Sequence, residues 1–281
     1  MLTTRDARRD AGRRQAVPSQ KQRYHEYVIQ RIEAFKDSIS REELLGMADK
    51  AAAALRDSAD DQFVLTEVLM EDVVDAYIRK RLSIKGFSHW RARFAKLRPA
   101  QREPTHWGID HSCPVVSLLG RIEAGDRVLV IGGGAEARAY LLAAYDTVLE
   151  FWDSNVGVVE RVEQKMLGEC LAMRFHAEWI RLERLVPVVN APYDLLVIDC
   201  GVLAAIDAGQ RADVVAKLQD ITVEGGLHVL LHSPALVPEA VYSFYSGWVQ
   251  ERSPGRRSAA KAQGAVLVKP AAALERQAEQ A

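Results

Sequence analysis

Residues 127–144 read RVLVIGGGAEARAYLLAA. A short apolar run meets three consecutive glycines and passes straight into a segment with helical spacing. Strand, glycine turn, helix is an order that presents free backbone N–H groups at a helix start, where a side chain would block an approaching ligand. The stretch therefore predicts an α/β fold with a nucleotide-like ligand. Its own letters leave that ligand open. Gly132, Gly134 and Ala137 satisfy the GxGxxA pattern of dinucleotide binding, so NAD and FAD stay admitted at this point.

The chain downstream narrows the choice. From Gly125 short β-branched runs alternate with helical segments: RVLVI (127–131), TVLEF (147–151), AMRFH (172–176), DLLVID (194–199) and LHVLL (227–231). Near-continuous apolar runs are the pattern of parallel strands buried on both faces. Their alternation with helices predicts a doubly wound sheet with right-handed crossovers. Two more runs, SGWVQ (246–250) and GAVLVK (264–269), flank the polar stretch ERSPGRRSAAKAQ and predict a terminal antiparallel hairpin.

Chemistry gathers at the strand ends. Asp153 lies 21 residues after Gly132, just past the second apolar run. A carboxylate there supplies the paired acceptor that ribose hydroxyls need. Glu150 competes for the role but falls inside the strand, and Asp153 equally suits a cap for the helix that follows. Glu178 can accept from an adenine amino group with Trp179 or Ile180 flanking the ring; a solvated carboxylate beside a core tryptophan is the plainer alternative. Asp199 and Cys200 close the fourth strand at the carboxyl edge, where open α/β sheets bind ligands. Cys200 is most simply a small core residue. VEGGLHVLLH (223–232) turns into the fifth strand and ends on His232.

Taken together, VLVIGGG, the acid of FWDS, YDLLVID, the EGG turn and the two-strand ending resemble the class I S-adenosylmethionine-dependent methyltransferase superfamily over about 120–270. The resemblance implies S-adenosylmethionine as cofactor, with Gly132, Gly133 and Gly134 near its methionine part and Asp153 on the ribose. It also implies Glu178 and Trp179 by the adenine, and Asp199 with Cys200 near the sulfonium. Glu136 stands where the family's third glycine is expected and is counted with the cofactor-binding positions. A weaker similarity, in MRFHAE, YDLLVI, the missing third glycine and a helical N-terminal domain, points to the nicotianamine-synthase-like branch. That branch moves an aminobutyl group from the same cofactor.

Ahead of the α/β pattern the spacing is helical. Tyr24, Tyr27, Val28, Ile32 and Phe35 share one face. Ser40 with Glu43 predicts a capping box, and a third helix over about 61–82 buries Phe63, Val64, Val68, Val73, Val74 and Tyr77. Gly86 breaks it, and Ser88 caps a short helix bearing Trp90, Phe94 and Leu97 that Pro99 stops. Residues 79–98 hold eight Lys or Arg and no acid, with Phe87, Trp90 and Phe94 interleaved. Basic charge with aromatics suits RNA; an amphipathic core stripe explains the same letters. The loop THWGIDHS (105–112) carries His106, Asp110 and His111 as candidate acid–base groups. Their spacing fits no recognised metal motif. Ser112 and Pro114 open the next helix.

The predicted organisation is a flexible basic arm over 1–20, a helical cap over 21–115, a Rossmann-like domain over 116–270 and a tail over 271–281. The three cysteines are scattered and the net charge is −1, which excludes a disulfide framework and gives no global case for nucleic acid. There is no apolar signal core and no membrane-length run, so a cytoplasmic setting is expected. The function expected is transfer, most simply of a methyl group, from S-adenosylmethionine to a small polar molecule enclosed between cap and Rossmann-like domain. Aminobutyl transfer, RNA methylation through the 79–98 strip, and a non-catalytic partner subunit are the alternatives. The partners expected are a small-molecule acceptor, then RNA or a second copy of the chain, with no membrane and no metal.

Overall fold

The computed structural model describes residues 18–57, 67–251 and 264–271. The chain forms two compact units, residues 18–96 and a larger one from Leu97 onward. No described helix is long and apolar enough to cross a membrane.

The smaller unit holds α1 (Gln20–Ser38), α2 (Arg41–Asp57), α3 (Glu67–Arg81) and most of α4 (Phe87–Gln101). α1 opens on a full capping box between Ser19 and Gln22. Ser40 caps α2 through the Glu43 N–H at 3.2 Å, but the Glu43 carboxylate turns instead to Arg81 at 2.6 Å. Val28, Ile32, Met47, Ala51, Val74 and Ile78 form the core. Phe63 and Val64 lie outside the described residues. Tyr77 is 42% exposed and Ile78 is fully buried, because Ile78 completes an i, i+4 pair with Val74 that puts Tyr77 off the inner face.

α4 differs from its expected bounds. It starts at Phe87, with the Trp90 N–H donating to Gly86 O at 3.0 Å, and runs through Pro99 to Gln101. Pro99 sits in the last turn, where its missing N–H forfeits a single helical bond, so the helix is not stopped there. Trp90 stacks on Phe94 at 4.8 Å between centroids, with Tyr24 and Phe87 around it. The aromatics of the basic strip are thus packed inward, while Arg91, Arg93 and Lys96 stay exposed.

The larger unit begins well before residue 115. Arg98 and Asp146 form a largely buried ion pair. Arg102 Nε donates to Ala144 O at 3.0 Å, and the Trp107 ring packs on Tyr140 at 5.2 Å. Two arginines at the carbonyl end of α6 (Glu136–Ala144) oppose the negative end of its dipole. That tie fixes residues 98–107 to the sheet unit and moves the boundary to Leu97.

Its sheet runs β3-β2-β1-β4-β5-β7-β6, from β1 (Arg127–Ile131), β2 (Val148–Asp153), β3 (Phe175–Trp179), β4 (Tyr193–Asp199), β5 (Thr222–Leu231), β6 (Val249–Glu251) and β7 (Gly264–Val268). The first five are parallel; β7 is antiparallel to both β5 and β6. The terminal pair is therefore antiparallel as expected, with its second strand inserted against β5. β3 starts three residues later than the run AMRFH suggests, because residues 172–174 make a 3-10 turn. α5 (Pro114–Leu118) is capped by Cys113 without a side-chain bond, while Ser112 instead donates its N–H to Asp110.

One apolar layer packs α6 and α7 (Val156–Gly168) on Val128, Val130, Leu149, Phe151 and Val197. The other packs α8 (Cys200–Ala204) and α9 (Ala208–Asp220) on Leu129, Ile131, Leu196 and Ile198. Burial of strand neighbours on opposite faces makes the sheet doubly wound. All the parallel strands point their carboxyl ends to one edge, with the glycine turn at its middle.

Candidate functional site

Gly132 follows β1 with φ 95, a left-handed conformation that favours glycine. A Cβ on it would stand 2.5 Å from Val202 Cγ2, and one on Gly134 would stand 2.8 Å from Asp199 Cγ. The turn is a close-packed cradle that no side chain can enter.

Two carboxylates flank it. Asp153, at the end of β2, is 8% exposed. Its Oδ1 accepts the Asn155 N–H at 2.7 Å, and its Oδ2 stands 3.5 Å from a Cβ position on Gly133. The cap of α7 is Asn155, which accepts from the Gly157 N–H at 3.0 Å. Asp153 is thereby released from capping, with one oxygen locked and the other beside the turn. Asp199, at the end of β4, uses both oxygens: Oδ1 accepts the Gly201 N–H at 2.9 Å and Oδ2 the Gly134 N–H at 3.1 Å.

Glu150, the competitor for the ribose, sits in mid-strand beside Leu129 of β1 and turns toward the amino edge. It accepts from Tyr193 Oη at 2.5 Å and from Arg127 Nη2 at 3.1 Å. Tyr193 and Arg127 begin their strands, so this cluster marks the amino edge, and the phenol is pushed well up by burial and then by Glu150.

Trp179 is paired with Asp153 in the β2–β3 ladder. The residue is 60% exposed, although its Nε1 donates to Ser154 O at 2.7 Å. Val156, just past Asn155, is 57% exposed. An anchored yet exposed indole is a ready platform for a planar ring. Glu178 is paired with Trp152, so it alternates to the other face of the sheet from Asp153, and it bonds to His176 Nε2 at 2.8 Å. The Ile180 N–H donates to Asp153 O at 2.9 Å.

Glu136 opens α6 and accepts from Arg161 of α7 at 3.0 Å. Its side chain is spent on an interhelical ion pair, which accounts for an acid where a third glycine is expected. Cys200 is fully buried; burial pushes its thiol up to about 12, with Asp199 and Glu239 adding to the effect. It is a core residue.

The expected acid–base groups lie in the loop between α4 and α5. His106 stacks edge-on to Trp107 at 4.6 Å and lies within electrostatic reach of Glu169. Glu169 follows the last turn of α7, whose first turn adjoins Asp153, so the structure puts His106 at the far end of α7 from the glycine turn. Asp110 accepts the Ser112 N–H at 2.7 Å and shapes its own turn, and His111 is exposed beside it. Among the described residues no group of three or more His, Cys, Asp or Glu is placed to hold a metal ion.

No family model and no curated relative matches the sequence. Solved structures with a similar chain path include the N-methyltransferase NodS of Bradyrhizobium japonicum WM9 in complex with S-adenosyl-L-homocysteine. It is 15% identical, with 63% of this chain and 98% of that one covered, at a TM-score of 0.45. A TehB-like SAM-dependent methyltransferase of Corynebacterium glutamicum is 16% identical, covering 65% and 97%, also at 0.45. An rRNA methylase of Streptococcus thermophilus is 14% identical, covering 55% and 93%, at 0.42. Five parallel strands in the order 3-2-1-4-5, a glycine turn after β1, an acid ending β2 and an antiparallel β7 inserted beside β5 make residues 127–268 a doubly wound, Rossmann-like α/β fold closed by an antiparallel pair.

Proposed function

We propose that the protein is a methyltransferase that uses S-adenosylmethionine to modify a small polar molecule. The observation that carries this reading is the pair of carboxylates at the glycine turn. A dinucleotide needs that turn's N–H groups for its pyrophosphate. Here the Gly134 N–H is already given to Asp199, and Glu136 occupies the first turn of α6. The two negative charges of Asp153 and Asp199 at this point oppose a pyrophosphate and suit a cofactor whose reactive centre is a cation.

The residues present fit such a cofactor. Asp153 Oδ2 would take the ribose hydroxyls and Trp179 would lie against the adenine, with Glu178 within a strand position of it. The exposed outer side of the turn, at Gly134, would lie along the amino-acid end. S-adenosylmethionine, when bound, supplies an electrophilic carbon on a sulfonium sulfur. The chain's task is then to align the acceptor and exclude water.

Calorimetric titration with S-adenosyl-L-homocysteine tests the reading. Saturable binding is expected, and Asp153→Ala should weaken it by about 100-fold, since a charge-assisted hydrogen bond contributes about 1.5–3 kcal/mol. No heat of binding at millimolar ligand would sink it. The RNA reading loses support from the burial of Trp90 and Phe94, which removes the stacking surface that single-stranded recognition uses.

A further inference from the structure

The sheet acts as a ruler along its carboxyl edge. In spatial order the strand ends present Trp179 on β3, Asp153 on β2, the glycine turn on β1, Asp199 on β4 and then β5, which ends at Leu231. Leu231 is directly paired with Asp199. The next residue is His232, exposed, with no side-chain hydrogen bond to the described residues.

Its backbone is held firmly. Ser233 and Leu236 exchange backbone hydrogen bonds at 3.3 and 3.2 Å, and Ser233 Oγ accepts the Ala235 N–H at 3.3 Å. Ser233 Oγ also stands 3.1 Å from a Cβ position on Gly201. The β5 turn is therefore folded against the β4–α8 turn that Asp199 caps. Strand neighbours are about 4.8 Å apart, so the His232 backbone lies one spacing beyond Asp199 and about two beyond the glycine turn.

Of the other histidines in the sheet unit, three are elsewhere or engaged. His228 is buried between Thr222 and Tyr245, and His176 is bonded to Glu178 on the edge strand. His106 is at the far end of α7. His111 lies in the loop before α5, exposed.

We propose that His232 is a catalytic residue, the group that accepts the proton shed by an N–H or O–H acceptor. The proposal rests on the cofactor reading above. With the adenosine held by Asp153 and Trp179 on β2 and β3, the cofactor's other end would lie along the glycine turn, and an acceptor would be met by the residues that end β4 and β5. As the acceptor's lone pair bonds to that carbon, the carbon–sulfur electron pair returns to sulfur and one acceptor proton must leave. An imidazole suits that transfer near neutral pH.

The test uses the full chain with S-adenosylmethionine carrying a 13C-labelled methyl group. Isotope-filtered NMR should show cross-relaxation between the labelled methyl and the His232 ring, whose signals are assigned by their loss in His232→Gln. His232→Gln should keep cofactor affinity, read by calorimetry, within about three-fold, a change well under the tenfold that 1.4 kcal/mol gives. Bound cofactor with methyl cross-peaks to other residues but none to His232 overturns the assignment. So does a His232→Gln variant that no longer binds the cofactor, which would make His232 a binding residue instead. If the wild-type chain binds no cofactor by calorimetry, the cofactor reading itself fails, a result distinct from bound cofactor without the His232 contact.

Discussion

Asp199 binds Gly134 across the sheet's carboxyl edge: Oδ2 accepts the Gly134 N–H at 3.1 Å while Oδ1 holds the Gly201 N–H at 2.9 Å. One carboxylate so joins the turn after β1 to the turn after β4. It supplies negative charge at the cradle and also sets the cradle's shape. The two roles share the same atoms.

That sharing makes a double-mutant cycle informative. A Cβ on Gly134 would stand 2.8 Å from Asp199 Cγ, so Gly134→Ala must displace the carboxylate that Asp199→Ala removes. Asp199→Ala alone should cost about 1 kcal/mol, the usual loss of a helix N-cap. The double variant should be more stable than the sum of the singles, by about 0.5 kcal/mol or more. Urea denaturation measures all four; strict additivity would mean that the two turns are not coupled through this side chain.

The two acids of β2 should separate cleanly. Glu150 holds Tyr193 and Arg127 on the amino-edge side of mid-strand. Glu150→Ala should leave S-adenosyl-L-homocysteine affinity within about three-fold yet lower stability by roughly 3 kcal/mol, because a partly buried arginine and a phenol lose their acceptor. Asp153→Ala should do the reverse. Calorimetry and urea melts on the same pair of variants check both halves.

How much of this was readable from the letters depends on distance along the chain. RVLVI is β1 to the residue, and Asp153 was separated from Glu150 by its place past the apolar run, because strand period and strand end are local properties. The 3-10 turn at 172–174 hid in AMRFH, since three apolar or basic residues before a strand carry no period of their own. His106 attracted a role through its chemistry, yet its position follows from Arg98 and Arg102 gripping the end of α6, a contact more than 40 residues away in sequence. Glu136 stands where a third glycine is expected, and its partner Arg161 lies 25 residues on. Long-range pairing of charged groups leaves no periodic trace.

Glu136 therefore yields a small expected effect. The pair with Arg161 is on the surface, with side chains 32% and 57% exposed, and such pairs contribute about 0–1 kcal/mol. Glu136→Ala should shift the thermal midpoint by a few degrees at most and change S-adenosyl-L-homocysteine affinity by less than about three-fold. A ten-fold loss by calorimetry would instead make Glu136 a ligand of the cofactor.

The last expectation concerns pH. His228 is fully buried on β5, with Nε2 against Thr222 Oγ1 at 2.8 Å and Nδ1 against Tyr245 Oη at 2.9 Å. Burial, with Lys269 nearby, pushes the imidazole down to about 3 from its ordinary 6.5. The folded state therefore holds it neutral while the unfolded chain binds a proton below about pH 6.5. Its contribution to stability is complete above that value and is lost progressively as pH falls toward 3. Between pH 6.5 and 5, a range above most carboxylate titrations, the loss should approach about 2 kcal/mol, taking about 1.4 kcal/mol for each pH unit. His228→Gln keeps hydrogen-bonding capacity but does not titrate, so its stability should change less over the same interval. Urea melts at pH 6.5 and 5 decide it: equal losses in the two proteins would show that another group drives the acid sensitivity.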